Sequence, residues 1–494
     1  MYLGKKNPLK SYLKAIGWIK SNTIKNEGIK VTSTQNSPAY PEVTGYFIPT
    51  LLQWGEKELA LQYGNWLKSI QNNDGSWCAP NSNIPYTFDV GQILKGLISL
   101  DDICPDYKAN IISGCNWIVK NITPDGRLTT PDTSAWGLPG GKMVPEAIHL
   151  YALEPLILAG KKYNIPMFCE MVEKVVNYYL YDTNLTEFNT LSHFHAYIVE
   201  ALIDLGHRNI AKKAMDEVFN LMKKDGSIPA YKDVKWICST GLFQYSVIWY
   251  KLQEYEKANL AFTAGIKLQN RSGGFYGSYG FGATYFKREE ISWCNKYFLD
   301  ALFLKIKNDF NHNVNIYSNT ISNKDGRYII IDQEIKDMLP NTIVDLGCGK
   351  GRYLYNIKQQ YPSIELFGMD ISDEMLKCLP KDIVPILGSL LNIPIENESM
   401  DLAFCVEALE HAVNIRKAIE EIYRILKHGG RVIIIDKNVK LINSHSISEW
   451  EQWFSAEKVV DVLRQVGFSE IKTYSSITYD DNNDNLFIGW VATK

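Results

Sequence analysis

Two periodicities divide the chain. Up to about residue 305 apolar positions recur at helical spacing, in stretches such as 92–100 and 197–205, separated by polar turns. Beyond about 340 they come as short β-branched runs alternating with helical stretches: 343–346, 365–369, 383–387, 402–406 and 432–436, then 470–475 and 487–492. The first five runs, with helices between them, predict a parallel doubly wound sheet. The last two, joined only by the polar stretch 480–485, predict an antiparallel hairpin at the sheet edge. Residues 309–325, rich in Asn, Ser and charge, read as a linker. The expected organisation is an all-α domain over 1–310, a linker at 311–326 and an α/β domain over 327–494.

The helical part repeats. Polar turns at Gly28, Asp74-Gly75, Asp125-Gly126, Asp225-Gly226 and Gly273-Gly274, with an irregular sixth near 182–184, recur about every 50 residues. Two helical patterns lie between turns, and the second of each pair aligns at Pro41, Phe88, Pro145, His193, Ser239 and Ser292. A hairpin of this length cannot bury its apolar face alone, so it stacks on copies of itself. Six hairpins with one strongly apolar helix each predict a closed ring, apolar helices inside. The turn Gln71-Asn72-Asn73-Asp74-Gly75-Ser76-Trp77 resembles the repeat of terpenoid cyclases and protein prenyltransferases. That resemblance implies an (α/α)6 toroid over roughly 9–305. The Asp-x-Asp-Asp cluster of a protonating cyclase and a clean Asp/Cys/His zinc set are absent from the sequence.

In such a toroid the aligned helix starts converge on one end of the cavity. They carry Glu42, Tyr46, Asp89, Glu146, His193, His195, Tyr197 and Trp293, together with Gln92, His149, Gln244 and Lys296. Rings that stack on C–H faces and acids that bond hydroxyls suit a sugar. A carboxylate pair across the cleft is the equipment for breaking a glycosidic bond, and a His/Tyr pair that for moving a proton at a sugar carbon. Acids at helix starts also answer the helix dipole, so placement alone does not imply catalysis.

The most specific motif is Asp345-Leu346-Gly347-Cys348-Gly349-Lys350-Gly351, closing a β-branched run, with Asp370 at the tip of the next. Glycines let backbone approach a ligand that no side chain would tolerate, and an acid at the second strand tip accepts ribose hydroxyls. A nicotinamide-dinucleotide enzyme shares that much. Asp401-Leu402-Ala403-Phe404 and Arg424-Ile425-Leu426-Lys427-His428-Gly429-Gly430-Arg431 then follow in order, ahead of the terminal hairpin. Together these blocks resemble the class I S-adenosylmethionine-dependent methyltransferases, in particular type 11 and ubiquinone-biosynthesis O-methyltransferases, over about 327–494. The resemblance implies a Rossmann-like seven-stranded domain. It places S-adenosylmethionine on Asp345, Gly347, Gly349, Gly351, Asp370, Ile371, Ser389, Leu390 and Val406. Where the family has Gly-Asp-Ala, this chain has Gly388-Ser389-Leu390, so a hydroxyl stands where a carboxylate meets the adenine amine.

On the acceptor side, Glu407-Ala408-Leu409-Glu410-His411 resembles the Glu-x-x-Glu-His segment of relatives that hold a divalent ion against the acceptor hydroxyl. Positions i, i+3 and i+4 share a helical face. The expectation is therefore Mg2+ or Mn2+ on Glu407, Glu410 and His411, with His445 as a fourth ligand. Without metal, His411 is the general base, flanked by Glu407 and Glu410. No substrate cap is expected before Ile343.

Composition changes this picture little. A chain of 494 residues calls for two cores, and 46% apolar with 22% charged residues is ordinary globular usage. Net charge is −3, with 34 basic against 30 acidic residues up to 325 and 18 against 25 beyond. The acidic half is the one with the glycine loop, which argues against a nucleic-acid partner. Nine cysteines without a Cys-x-x-Cys pair read as small buried residues in a reducing compartment. No apolar run approaches the ~20 residues of a membrane span, and no signal-peptide core opens the chain, so a cytoplasmic protein is expected. The functional reading is a methyltransferase acting on a carbohydrate hydroxyl, in polysaccharide biosynthesis, with a ring that binds or modifies the glycan. Alternatives are a terpenoid- or polyprenyl-modifying enzyme, and a methyltransferase with a non-catalytic ring.

Overall fold

The computed structural model describes residues 7–133, 144–444, 451–479 and 482–494. It divides into two units, Met1–Leu52 with Glu56–Lys305, and Gln53–Gly55 with Ile306–Lys494. The division falls inside one helix, earlier than the expected 310/311 boundary, and residues 306–325 belong to the second unit.

In the first unit the helices alternate in character. Pro41–Gln53 (α2), Thr87–Asp101 (α4), Ser192–Asp204 (α8) and Ser239–Lys251 (α10) are buried almost all round, as helices without a polar face must be. The helices between them, Pro8–Ser21 (α1), Lys57–Ser69 (α3), Lys108–Lys120 (α5), Glu154–Lys162 (α6), Pro166–Leu180 (α7), Arg208–Leu221 (α9) and Tyr255–Ile266 (α11), bury one stripe. In α9 that stripe is Ala211, Ala214, Met215 and Val218, the i, i+3, i+4, i+7 spacing of an amphipathic helix. Ser292–His312 (α12) follows, after a short ribbon of Ile237–Cys238 (β1) and Ser278–Tyr279 (β2). At the third aligned start the buried element is a 3-10 segment, Glu146–Ala152, instead of a long helix.

The buried elements meet in a cyclic order. A Cβ on Gly45 would strike Ile93 Cα at 2.4 Å, so α2 and α4 touch through backbone, which only glycine permits. The Tyr151 ring of the 3-10 segment packs at a tilt against Tyr197 of α8 (centroids 4.7 Å), and His193 of α8 bonds Gln244 of α10 at 2.7 Å. Phe243 of α10 packs on Phe298 of α12, and Tyr297 of α12 on Tyr46 of α2. The polar turns repeat as well: Gly75, Gly126, Gly226 and Gly273 have positive φ, and each donates to the carbonyl three residues earlier. Gln71 Nε2 donates to the carbonyls of Gly75 and of Asn110 on α5, while Gln269 Nε2 donates to those of Gly273 and of Ser11 on α1. The last turn thus uses the first helix as an earlier turn uses its successor.

The second unit is a seven-stranded sheet in the order β5-β4-β3-β6-β7-β9-β8. Thr342–Leu346 (β3), Glu365–Asp370 (β4), Val384–Leu387 (β5), Met400–Val406 (β6) and Leu426–Lys437 (β7) are mutually parallel where paired. Ser469–Tyr479 (β8) and Asn482–Thr493 (β9) form the antiparallel hairpin. β9 inserts beside β7 and leaves β8 at the edge. The hairpin is longer than expected: residues 482–485, read as loop, begin β9. Helices Gly326–Met338 (α13), Arg352–Gln360 (α14), Asp373–Leu376 (α15), Ile415–Ile425 (α16) and Ala456–Val466 (α17) complete the unit. Its apolar centre gathers Ile331, Ile343, Leu354, Phe404 and Ile433. Of the nine cysteines, Cys104 and Cys378 are exposed and Cys78 and Cys169 half-buried, against the expectation that all are buried. No helix among the described residues is long and apolar enough to cross a membrane.

Candidate functional site

β3 ends at Leu346 and the chain turns through three glycines in left-handed conformation, φ 86° at Gly347, 53° at Gly349 and 78° at Gly351. A Cβ on Gly347 would lie 2.3 Å from that of Ala408, so only glycine lets this loop reach the segment after β6. Gly349 faces open space, its backbone bare toward a ligand. Its N–H donates to Asp370 Oδ2 at 2.8 Å, and the N–H of Ser372 donates to Oδ1 at 2.8 Å. Both oxygens of the acid at the tip of β4 are thereby oriented. Burial raises the Asp370 pKa above the ordinary carboxylate range. Asp345 Oδ2 is buried with no hydrogen-bond partner among the described residues, and burial pushes that carboxyl well up. A donor ammonium group at the loop would satisfy it. Bare backbone, an orphaned buried oxygen and an oriented acid fit S-adenosylmethionine. Val406, buried, ends β6; Ile371 follows Asp370 directly. Ser389 Oγ accepts from the N–H of Leu391 at 3.2 Å, closing the turn that also carries Leu390.

The acceptor side departs from expectation. Glu407, at φ 54°, is held by Arg327 and by Arg352 Nη2 (2.7 Å). Arg327 is fully buried, pairs with Asp325 at 2.7 Å and lies over the Phe487 ring. Glu410 is paired with Lys437 at 2.7 Å, and Lys437 with Glu451 at 2.8 Å. The expected divalent site does not fit these residues. Guanidinium and ammonium groups already neutralise both carboxylates, and no metal-binding group of three His, Cys, Asp or Glu occurs among the described residues. His445 lies outside the described residues. Glu407 is tied to α13 and α14 through Arg327 and Arg352.

Glu410 and His411 remain. Glu410 Oε2 is buried without a partner among the described residues, and burial raises its pKa to about 7. His411 Nε2 lies 3.4 Å from Glu410 Oε1, and Nδ1 has no partner among the described residues. Burial lowers the imidazole pKa to about 4, so the ring is neutral at physiological pH. Asp436, at the end of β7, has both oxygens unpaired among the described residues, and burial and then Glu410 push it well up.

In the helical unit a cavity of about 700 Å³ opens among the aligned helix starts. Glu42, Tyr46, Asp89, His193, Tyr197 and Trp293 line it, joined by Tyr40, Phe88 and Tyr285, which were not anticipated. Glu146 and His195 are not among the lining residues. Glu146 is drawn off by Arg127 (2.8 Å) and by the Tyr179 hydroxyl (3.1 Å). His195 has both nitrogens engaged, Nε2–H on the Thr186 carbonyl (3.0 Å) and Nδ1 on the Tyr245 hydroxyl (2.9 Å). His193, by contrast, uses Nδ1 on Gln244, and burial lowers its pKa to about 4.

The methyltransferase domain family matches residues 344–434, from the glycine loop to β7. The C-terminal unit belongs to the S-adenosylmethionine-dependent methyltransferases. An uncharacterised protein of Methanocaldococcus jannaschii is 33% identical over 146 residues, 27% of this chain and 67% of that one. A demethylmenaquinone methyltransferase of Lactococcus lactis is 29% identical over 147 residues, 28% of this chain and 57% of that one. Two further uncharacterised relatives are covered over 42% and 37% of their lengths. Among solved structures, a Thermotoga maritima methyltransferase aligns with 38% of this chain and 99% of its own, at 23% identity and a TM-score of 0.31.

The methyltransferase domain also contains residues the sequence reading missed. Phe310 packs edge-on against the His411 ring at 5.2 Å, and Tyr317 lies 6.4 Å from Phe310. Asn311 accepts from the Ser372 hydroxyl at 2.6 Å and donates to Asp373 at 3.1 Å. A segment thus precedes Ile343 and sits on the loops after β4 and β6, against the expectation of no cap. Two aromatics in an otherwise polar stretch were its only sign. Arg352, next to the glycine loop, was legible as a position but not as the partner of Glu407.

Proposed function

We propose that the protein transfers the methyl group of S-adenosylmethionine to a hydroxyl of a carbohydrate, with His411 as base and Glu410 behind it. The cofactor, when bound, supplies an electrophilic methyl group on sulfonium. The observation carrying the reading is the Glu410–His411 pair beside the glycine loop. With Nε2–H turned to Glu410, the free Nδ1 lone pair takes the acceptor proton, and the Glu410 carboxylate stabilises the imidazolium that forms. The Nε2 proton of that imidazolium then passes to Glu410, whose pKa burial raises to about 7, leaving His411 neutral. Lys437 positions Glu410, and Phe310 and Tyr317 wall the acceptor.

The helical unit is, on this reading, a six-hairpin toroid over about 1–310 that binds the glycan in its cavity. Its support is the cyclic order of buried elements and the aromatic and acidic lining. A terpenoid or polyprenyl ligand is less well matched, because Glu42 and Asp89 lie on the cavity wall and not outside it. The test is mass spectrometry of free sugars, glycans and polyprenyl alcohols after incubation with labelled S-adenosylmethionine. Methyl on a sugar oxygen supports the proposal; methyl on a prenyl chain, or on none of the sugars, overturns it.

A further inference from the structure

The cavity of the helical unit holds a charge problem that the described residues leave unsolved. Glu42 is 6% exposed, lines the cavity, and has no hydrogen bond or ion pair among the described residues. Asp89, also 6% exposed, receives one long hydrogen bond, from the Tyr40 hydroxyl at 3.3 Å. No cation lies within ion-pair distance of either among the described residues. The Lys296 charge acts on Glu42, but Lys296 is committed to Asp300 at 2.7 Å and to the Tyr297 ring at 3.9 Å. Tyr46, Tyr197, Tyr285 and Trp293 line the same cavity. Buried carboxylates without donors are costly unless a ligand supplies positive charge or hydrogen bonds, and aromatic faces attract organic cations.

We propose that this cavity binds a sugar ring bearing a protonated amine, the ammonium lying between Glu42 and Asp89 and the ring against the aromatic wall. The inference rests on the glycan reading of the helical unit and adds the charge of its ligand. Burial, and for Glu42 the Asp89 charge as well, raise both carboxyls, Asp89 to about 7, so the pair by itself retains a proton near neutrality. An ammonium ligand displaces that proton. Affinity therefore rises as pH climbs through about 7 and falls once the amine itself deprotonates. The other groups facing the pair leave this window intact. His193 titrates near 4, the Tyr40, Tyr46 and Tyr285 hydroxyls are raised by burial, and Lys287 and Glu289 on the rim oppose each other in charge.

Paired probes of one ring and different charge test the proposal: glucosamine, glucose and N-acetylglucosamine, with the galacto and manno series alongside. Binding to the full chain is read by saturation-transfer NMR and by calorimetry in buffers of different ionisation enthalpy. An amine binding about tenfold or more tighter than its neutral partners, with proton release, supports the proposal. Asp89→Asn and Glu42→Gln then remove the preference, while circular dichroism and S-adenosylmethionine affinity stay unchanged. Equal binding of amine and neutral sugar overturns the charge inference and leaves the glycan reading standing. No binding by any series overturns both, and the methyl-transfer assay judges the C-terminal reaction separately.

Discussion

The glycine loop and the cavity of the helical unit are assembled in opposite ways. The loop, Asp370 and the Glu410–His411 pair come from strand ends and turns within about 70 residues, consistent with a parallel sheet placing its ligand at the carboxyl ends of adjacent strands. The cavity draws Glu42, Asp89, His193 and Trp293 from four separate buried helices, Glu42 and Trp293 lying at opposite ends of the unit's chain. A site built on contiguous segments survives as a motif. A site built on helix starts far apart leaves only a periodicity.

That contrast predicts which changes stay local. The largest effect is expected for His411→Ala, with methyl transfer falling about 10²- to 10⁴-fold at unchanged cofactor affinity. The same assay carries a pH signature. Glu410 must be ionised, so kcat falls as pH drops through about 7, and Glu410→Gln flattens that limb. A pH-independent wild-type rate between 5 and 8 would remove Glu410 from the mechanism.

Arg327→Ala should destabilise the C-terminal unit by about 3–5 kcal/mol, because Asp325 and Glu407 lose a buried partner. Its calorimetric transition should fall while ligand binding in the helical unit persists. Asp370→Ala should weaken S-adenosylmethionine binding by about 2–3 kcal/mol in titration calorimetry, since the acid orients the loop through Gly349 and is the group proposed to take the ribose hydroxyls. Retention of full affinity would contradict the cofactor assignment. The smallest effect is set for the helical unit. Ser227→Ala removes the hydroxyl donor to Asp225 and should cost about 0.5–1.5 kcal/mol of that unit's stability without touching methyl transfer.

Legibility followed the same division. The strand runs and the glycine loop were readable because each depends on residues adjacent in the chain. Strand ends were less so: β9 begins at Asn482, inside a stretch whose polarity reads as loop, because pairing with β8 overrides local composition. The Glu-x-x-Glu-His segment was read as a metal site because spacing reports which side chains share a face, not what else reaches them. Arg327 and Arg352 arrive from α13 and α14, 80 and 55 residues away, and turn Glu407 from a ligand into an anchor. His195 and Glu146 left the cavity group for a similar reason. Each aligns with its neighbours in sequence, but Tyr245 and Arg127, brought in by packing, already occupy them.

By itself the order of residues determined a nucleotide-type loop, a seven-strand pattern and a helical repeat, since each follows from backbone conformation and apolar spacing over short distances. Tertiary structure decided which ionisable groups are paired and which are left alone. Charge pairing depends on distance across space, and a carboxylate becomes a ligand, a base or an anchor according to the cation that packing delivers beside it.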